Sequence, residues 1–201
     1  MRILNRPIGR MFTAACILAT TVHAFAEVTW DAVKKKVADG KSYSVNYKYD
    51  GPKGNFKFDY RTVVPGKIRS EIKDSKSDSS KVGVVAIYDT GTDKGQVFFK
   101  SGGGVIPRNT SHKDVVDTPF ATPVFSLVLN QIGSAPATAI SEGDKTRFEF
   151  KTGSGKYTVW ANSDADIVKT ERIDAKDKSK EVREFSGIKW NSNPDCGMEA
   201  K

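Results

Sequence analysis

From Tyr43 to Trp190 the chain mostly alternates apolar and polar residues with a period of two, and that alternation breaks once, near position 120. Tyr43, Val45, Tyr47 and Tyr49 share one face of a strand, Asp50-Gly51-Pro52-Lys53-Gly54 turns the chain, and Phe56, Phe58, Tyr60 and Thr62 share a face of the next. That pattern predicts an antiparallel hairpin with one aromatic face. Short β-branched or aromatic runs follow at 67–72, 82–88 and 96–100, and again at 147–150, 156–161, 167–173 and 181–190. Polar turns separate the later runs at 152–155, 162–166 and 174–179, so the last two strands are expected to pair across Asp174-Ala175-Lys176-Asp177. The Ser/Lys/Asp-rich stretch 73–81 and the glycines 102–104 read as solvated loops.

Two segments have helical spacing instead. Trp30, Val33 and Val37 recur at i, i+3 and i+7, with Thr29 as N-cap, Asp31 in the first turn and Gly40 placed to close a helix over 30–39 as C′. At the break, Thr118-Pro119-Phe120-Ala121-Thr122-Pro123 leads into 124–132, where Val124, Val128 and Ile132 form one row and Phe125 and Leu129 a second. Thr122 as N-cap with Pro123 at N1 is the expected start, and Gly133 the stop. The pattern predicts a mainly β fold with two or three helices, built as a single curved antiparallel sheet with the helices on its concave face; a flat two-sheet sandwich is the other arrangement. Curvature is favoured because an aromatic face of Tyr43, Tyr47, Phe56, Phe58, Phe99, Phe148, Phe150 and Trp160 exceeds what two short helices can cover. Such a sheet closes on a filled core or encloses something.

The first residues change the picture of where the protein works. Arg2, Arg6 and Arg10 precede an apolar run from Met11 to Val22, and Ala24-Phe25-Ala26 supplies small residues at cleavage positions, so 1–26 is expected to be a signal peptide cut after Ala26. Cys16 lies inside the apolar run with Thr13-Ala14-Ala15 before it, which fits a lipoprotein signal poorly. Residues 27–201 hold 29 basic and 24 acidic side chains, a mild positive balance, and form one domain over 27–191 with a tail at 192–201. With 28% charged residues and a mean hydropathy of -0.45, the body offers no run of the roughly 20 apolar residues that a membrane helix needs.

Candidate chemistry is sparse. His112, the single histidine beyond the signal segment, sits in polar Asn109-Thr110-Ser111-His112-Lys113-Asp114, and no G-x-S-x-G elbow marks an activated serine. One histidine and Cys196 make no zinc set, the Asp/Gly clusters lack calcium-loop spacing, and Gly91-Thr92-Asp93-Lys94-Gly95 lacks phosphate-loop spacing. No enzyme, cofactor or metal is expected, and Cys196 reads as a free or an intermolecular thiol. Lysines beside aromatics, as in Tyr47-Lys48-Tyr49 and Phe56-Lys57-Phe58, fall on the opposite face of a strand from the rings, so stacking and phosphate contact would not converge; nucleic acid is not an expected partner.

A series of phrases carries a family resemblance. The helix at 30–39, the strand Phe56-Lys57-Phe58-Asp59-Tyr60-Arg61, then Pro65-Gly66-Lys67-Ile68-Arg69, Val85-Ala86-Ile87-Tyr88-Asp89 and Thr118-Pro119-Phe120 before an apolar helix are similar to the periplasmic lipoprotein carriers of the LolA type. Tyr157-Thr158-Val159-Trp160, 164–169 and Glu184-Phe185-Ser186-Gly187-Ile188 extend the resemblance over about 27–191. It implies an unclosed β-barrel with a helical lid over an apolar cavity that takes the acyl chains of lipoproteins or other lipids. It also implies an inner-membrane donor, an outer-membrane acceptor, a monomer and a periplasmic location. The carriers' lid-closing arginine stands beside a proline; here Val64 precedes Pro65, and Arg61 and Arg69 are the nearest candidates. The chain also ends soon after Trp190, without the carriers' further strand, which points to a divergent member of the superfamily that includes the RseB-like envelope sensors.

The expected function is that of a carrier holding acyl chains during transport to the outer membrane, with Trp30, Val33, Phe56, Phe58, Phe99, Phe120, Phe125 and Leu129 lining the cavity and lid. The alternative is an envelope sensor or protein-binding module whose barrel is filled by its own side chains.

Overall fold

A computed structural model of the protein describes residues 28–101, 104–115 and 118–197. The expected signal segment and its cleavage point lie outside the described residues. One helix, α1 (Trp30–Asp39), precedes six strands: β1 (Ser42–Gly51), β2 (Gly54–Val63), β3 (Lys67–Ser75), β4 (Val85–Asp89), β5 (Lys94–Ser101) and β6 (Gly104–Ser111). A 3₁₀ turn, Ser79–Lys81, links β3 to β4. The short α2 (His112–Val115) and the apolar α3 (Val124–Ile132) follow, and then β7 (Thr138–Glu142), β8 (Lys145–Thr152), β9 (Gly155–Asn162), β10 (Ile167–Asp174) and β11 (Lys180–Trp190).

The eleven strands form one antiparallel sheet in the order β6-β5-β4-β3-β2-β1-β11-β10-β9-β8-β7. Two meanders are thus joined at the centre by their first and last strands: Tyr43 opposes Trp190 and Tyr47 opposes Phe185 across β1 and β11. The sheet is not closed, and β6 and β7 are its edges. The unclosed, mainly β architecture with three helices matches the sequence expectation. Two strands exceed it. β6 and β7 are exposed along most of their length, so neither shows the period-two burial that marks a strand in sequence, and Pro107 in β6 is tolerated because an edge residue need not donate to the ladder.

The register confirms a two-faced sheet. Tyr43, Val45, Tyr47 and Tyr49 of β1 are all buried on the concave side, next to Phe56, Phe58, Tyr60 and Thr62 of β2. Lys48 and Lys57 project from the opposite face, where they pair with Glu184 (3.1 Å) and Asp74 (2.7 Å). Trp160 departs from the expected aromatic face. It stands beside Arg147 and Lys169 on the convex side, its Nε1–H donating to Glu142 at 2.9 Å and the Lys169 ammonium 4.6 Å from its ring.

The helices line the concave side. α1 is capped as expected by Thr29, whose Oγ1 accepts from the Ala32 N–H at 3.2 Å, and it buries only Val33 and Val37. Its first residue, Trp30, packs on Phe148 (5.3 Å) and Phe150 (4.8 Å) of β8. Lys36 bridges to Asp166 at 2.7 Å, and the same carboxylate accepts from Trp190 Nε1 at 2.7 Å, fastening α1 to the β9–β10 turn and β11. Gly40 ends the helix at φ -73, not in the left-handed form expected of a C′ glycine. It is glycine for space: a Cβ there would lie 2.4 Å from the Trp190 ring.

α3 buries Val124, Phe125, Leu127, Val128 and Ile132. Pro123 rather than Thr122 occupies its N-cap, with the Pro123 carbonyl accepting from the Leu127 N–H at 2.8 Å. No side chain of the helix's own start caps it. The Phe125 N–H, one of the donors that a helix start leaves over, instead reaches the Tyr43 hydroxyl at 3.4 Å. Gly133 at φ +62 closes the helix.

Candidate functional site

Most of the trough between sheet and helices is filled. Tyr43, Tyr60, Phe125, Phe148 and Phe150 are each no more than 2% exposed, and their rings stack or tilt against neighbours at 4.8–6.2 Å. The filling stops at the end away from α1. There an opening of about 370 Å³ has Tyr47, Phe56, Phe58 and Ile72 as its floor and Thr118-Pro119-Phe120 with Gln131 as its roof.

Each wall follows from a local cause. The floor is the period-two face of the β1–β2 hairpin, continued on β3, where Ile72 opposes Phe58. The roof is the proline-bracketed segment before α3, which cannot continue a helix and crosses the sheet in a turn. Tyr60 holds it down: its hydroxyl donates to the Pro119 carbonyl at 2.9 Å from a ring that is fully buried. Thr118 adds a local brace, its Oγ1 accepting from the Phe120 N–H at 3.2 Å. Tyr60→Phe should therefore lower the unfolding free energy by about 1–2 kcal/mol and speed amide exchange in 118–122, checked by urea unfolding and hydrogen-exchange mass spectrometry.

The remaining wall is charged. Arg183 and Glu181 occupy inward positions of β11, in register with Tyr49 and Arg172, and they pair at 2.5 Å. The Tyr49 hydroxyl donates to the other Glu181 oxygen at 3.3 Å. Arg172 pairs with Asp174 at 2.8 Å and lies 5.6 Å from the Tyr157 ring. Lys81 stands 5.5 Å from the Phe56 ring, and Lys53 completes the rim. Burial pushes the Tyr47 hydroxyl far above the ordinary phenol range, partly countered by the positive charge of Arg183.

Of the residues expected to line a cavity, the structure brings Phe56, Phe58 and Phe120 together at this opening. Val33 and Phe125 lie in the closed core, with Trp30 and Leu129 packed against it, away from the opening. Phe99 sits on β5 outside the main core, beneath the Arg108 guanidinium at 5.3 Å. Arg61 and Arg69 occupy the convex face, where they bind Asp59 (2.8 Å) and Glu71 (3.1 Å); Arg61 also donates to the Asp195 carbonyl at 3.4 Å. Cys196 is buried beside Arg61 and unbridged, so its thiol is not presented for an intermolecular bond. Sequence reasoning missed Lys53, Lys81, Arg172, Glu181 and Arg183. One signal was available: Glu181 and Arg183 share the parity of Phe185, and charges at inward positions of a strand call for a partner or a function.

Among the described residues, no group of three or more His, Cys, Asp or Glu could hold a metal ion, and no helix is long and apolar enough to cross a membrane.

No protein-family model matches the chain, and no curated protein matches it. Several solved structures are similar in shape. One is a DUF1329 family protein from Desulfovibrio piger, at 10% identity and a TM-score of 0.40, covering 82% of this chain and 92% of that one. Another is a Vibrio parahaemolyticus domain named for outer membrane lipoprotein sorting, at 9% identity and a TM-score of 0.41, covering 82% and 93%. A third is a hypothetical protein from Chlamydia trachomatis, at 12% identity and a TM-score of 0.38, covering 80% and 94%. Likeness at this level bears on neither ligand nor activity.

Proposed function

We propose that this protein is a non-catalytic acyl-chain carrier of the periplasm, which takes a lipid or lipoprotein chain from an inner-membrane donor and yields it to an outer-membrane acceptor. It works as a monomer, and its ligand is held by burial rather than by a covalent step. The observation that carries the reading is the apolar-floored opening of about 370 Å³ under the 118–120 roof, a volume at the lower end of the range for small-molecule sites. An acyl chain gains about 0.8 kcal/mol for each buried CH₂, so part of a chain laid on Tyr47, Phe56, Phe58 and Phe120 would be held usefully and still be released. The periplasmic location rests on the basic and apolar N-terminal pattern.

A titration with a fluorescent fatty acid tests this. Phe120 is only partly buried and belongs to the roof, so Phe120→Asp should leave the melting temperature nearly unchanged. It should weaken binding about 30-fold, because a carboxylate then faces the chain and apolar contact is lost. Equal binding by the wild type and Phe120→Asp would remove this site from the account.

A second reading has an observation of its own. The trough is filled over most of its length, and the edge strand β6 exposes Val105 and Ile106 at 45% and 50%. A sensor that docks a protein strand along β6 would use those features; it predicts no co-purifying lipid and a saturable protein partner.

A further inference from the structure

The charged wall of the opening has capacity that the fold does not use. Arg183 is 6% exposed, and its one partner among the described residues is Glu181, reached through Nη2. Its Nε is buried without a hydrogen-bond partner, and the same holds for the Nε of Arg172. A guanidinium carries five donors, and a buried one normally has them met. Tyr47, on the floor beside this wall, is 3% exposed, and Arg183 is close enough to influence the ionisation of its hydroxyl. Lys53 and Lys81 stand at the rim; Lys81 reaches Asp78 at 3.3 Å from an exposed position. Glu181 is the single carboxylate among the residues that line the opening, against four cations.

An acyl chain alone would not call for this arrangement. Two guanidinium and two ammonium groups lining an apolar-floored opening, against one carboxylate, are matched by a ligand with an oxyanion at one end, since charge-assisted hydrogen bonds to carboxylate or phosphate are the strong ones and arginine's planar fork fits both. We infer that the opening selects an acidic amphiphile, with its chain on Phe56, Phe58 and Phe120 and its carboxylate or phosphate headgroup at Arg183, Arg172 and Lys81. The inference rests on the acyl-binding reading of the same opening and adds the headgroup class to it. Salt would weaken the rim contribution from Lys53 and Lys81 more than that of Arg183, because exposed charges are screened and buried ones much less.

Binding of palmitate, 1-palmitoyl lysophosphatidate, hexadecanol and inorganic phosphate to the exported protein, each amphiphile below its micelle concentration, separates the possibilities. Both acids should bind at least about 10-fold more tightly than the alcohol of the same chain length. Arg183→Gln should reduce that preference to less than about 3-fold, and the double variant Arg172→Gln/Lys81→Gln, at less buried positions, should do the same if Arg183→Gln does not fold. The tighter of the two acids identifies the headgroup. Equal binding of alcohol and acids would overturn the inference while leaving the acyl reading intact, and so would a preference that both sets of variants leave unchanged. Inorganic phosphate binding as tightly as lysophosphatidate would replace the amphiphile with a plain anion site. Failure of every amphiphile to bind would overturn the acyl reading and this inference with it.

Discussion

Above pH 10 the protein is expected to unfold steeply, with three of its six tyrosines staying protonated until the fold gives way. Tyr43, Tyr47 and Tyr60 have concave-face rings 0–3% exposed. Burial is the main cause that pushes each phenol above its ordinary value of 10; the Phe125 N–H acts against it at Tyr43, Arg183 acts against it at Tyr47, and the neighbouring tyrosines add to it at Tyr60. The sign follows from linkage. A phenol whose folded pKa lies above its unfolded one has its full stabilising effect below pH 10. As pH rises from there towards the folded value, the unfolded chain sheds a proton that the folded one keeps. Each such group costs about 1.4 kcal/mol per pH unit, so three together cost roughly 4 kcal/mol per unit. Since domains hold only about 5–15 kcal/mol in reserve, the transition should fall within about one to four units above pH 10. Phenolate absorbance near 295 nm should rise in a step that coincides with the loss of circular dichroism. Complete phenolate formation with the dichroism intact would show that these hydroxyls are not sealed in.

Phe125→Ala should remove about 3–5 kcal/mol of stability, the largest effect of any single truncation considered, measured by urea unfolding. Phe125 is fully buried, and its ring lies 5.0 Å from Tyr43, 5.0 Å from Phe185 and 5.3 Å from Trp190. It is thus the bolt between α3 and the central β1–β11 pair. A cavity there cannot close easily, because three of its walls are rings fixed in strands whose register is set by the ladder. Phe125→Leu keeps most of the volume and should cost less than half as much. Trp190, in contact with Phe125, reports the change by its fluorescence.

Legibility followed burial. The β1–β2 hairpin is plain in the sequence because one face is buried against the core, so apolar residues recur at every second position, whereas the β10–β11 hairpin is marked by the polar turn at 174–179 between its strands. α1 and α3 declare themselves by the helical spacing of Val33 and Val37 and of Val124, Val128 and Ile132. The edge strands β6 and β7 do not, since a mostly exposed strand owes its existence to a neighbour's ladder rather than to its own pattern. That β1 and β11, whose paired residues lie 132 to 147 positions apart, should pair was likewise hidden, because residues such as Tyr43 and Phe185 carry no label of their partner.

The candidate site was half legible. Phe56 and Phe58 could be picked out as aromatics on one face of a strand, and Phe120 as the aromatic at the break in the pattern. Whether a given aromatic fills the core, like Phe125, or floors an opening, like Phe58, depends on where α3 and the 118–120 segment come to rest. The charged wall was missed because Arg183 and Arg172 lie in strands that otherwise read as ordinary two-faced ones, and only the curvature of the sheet brings them opposite Phe120.

The central claim is that the opening holds an acyl chain. The most direct measurement is native mass spectrometry, with organic extraction and lipid analysis, of the mature protein purified without detergent from an exporting bacterial host. The account predicts a stoichiometric lipid or acylated peptide released on extraction. A clean apo mass, together with no uptake of a fluorescent fatty acid on titration, would contradict it.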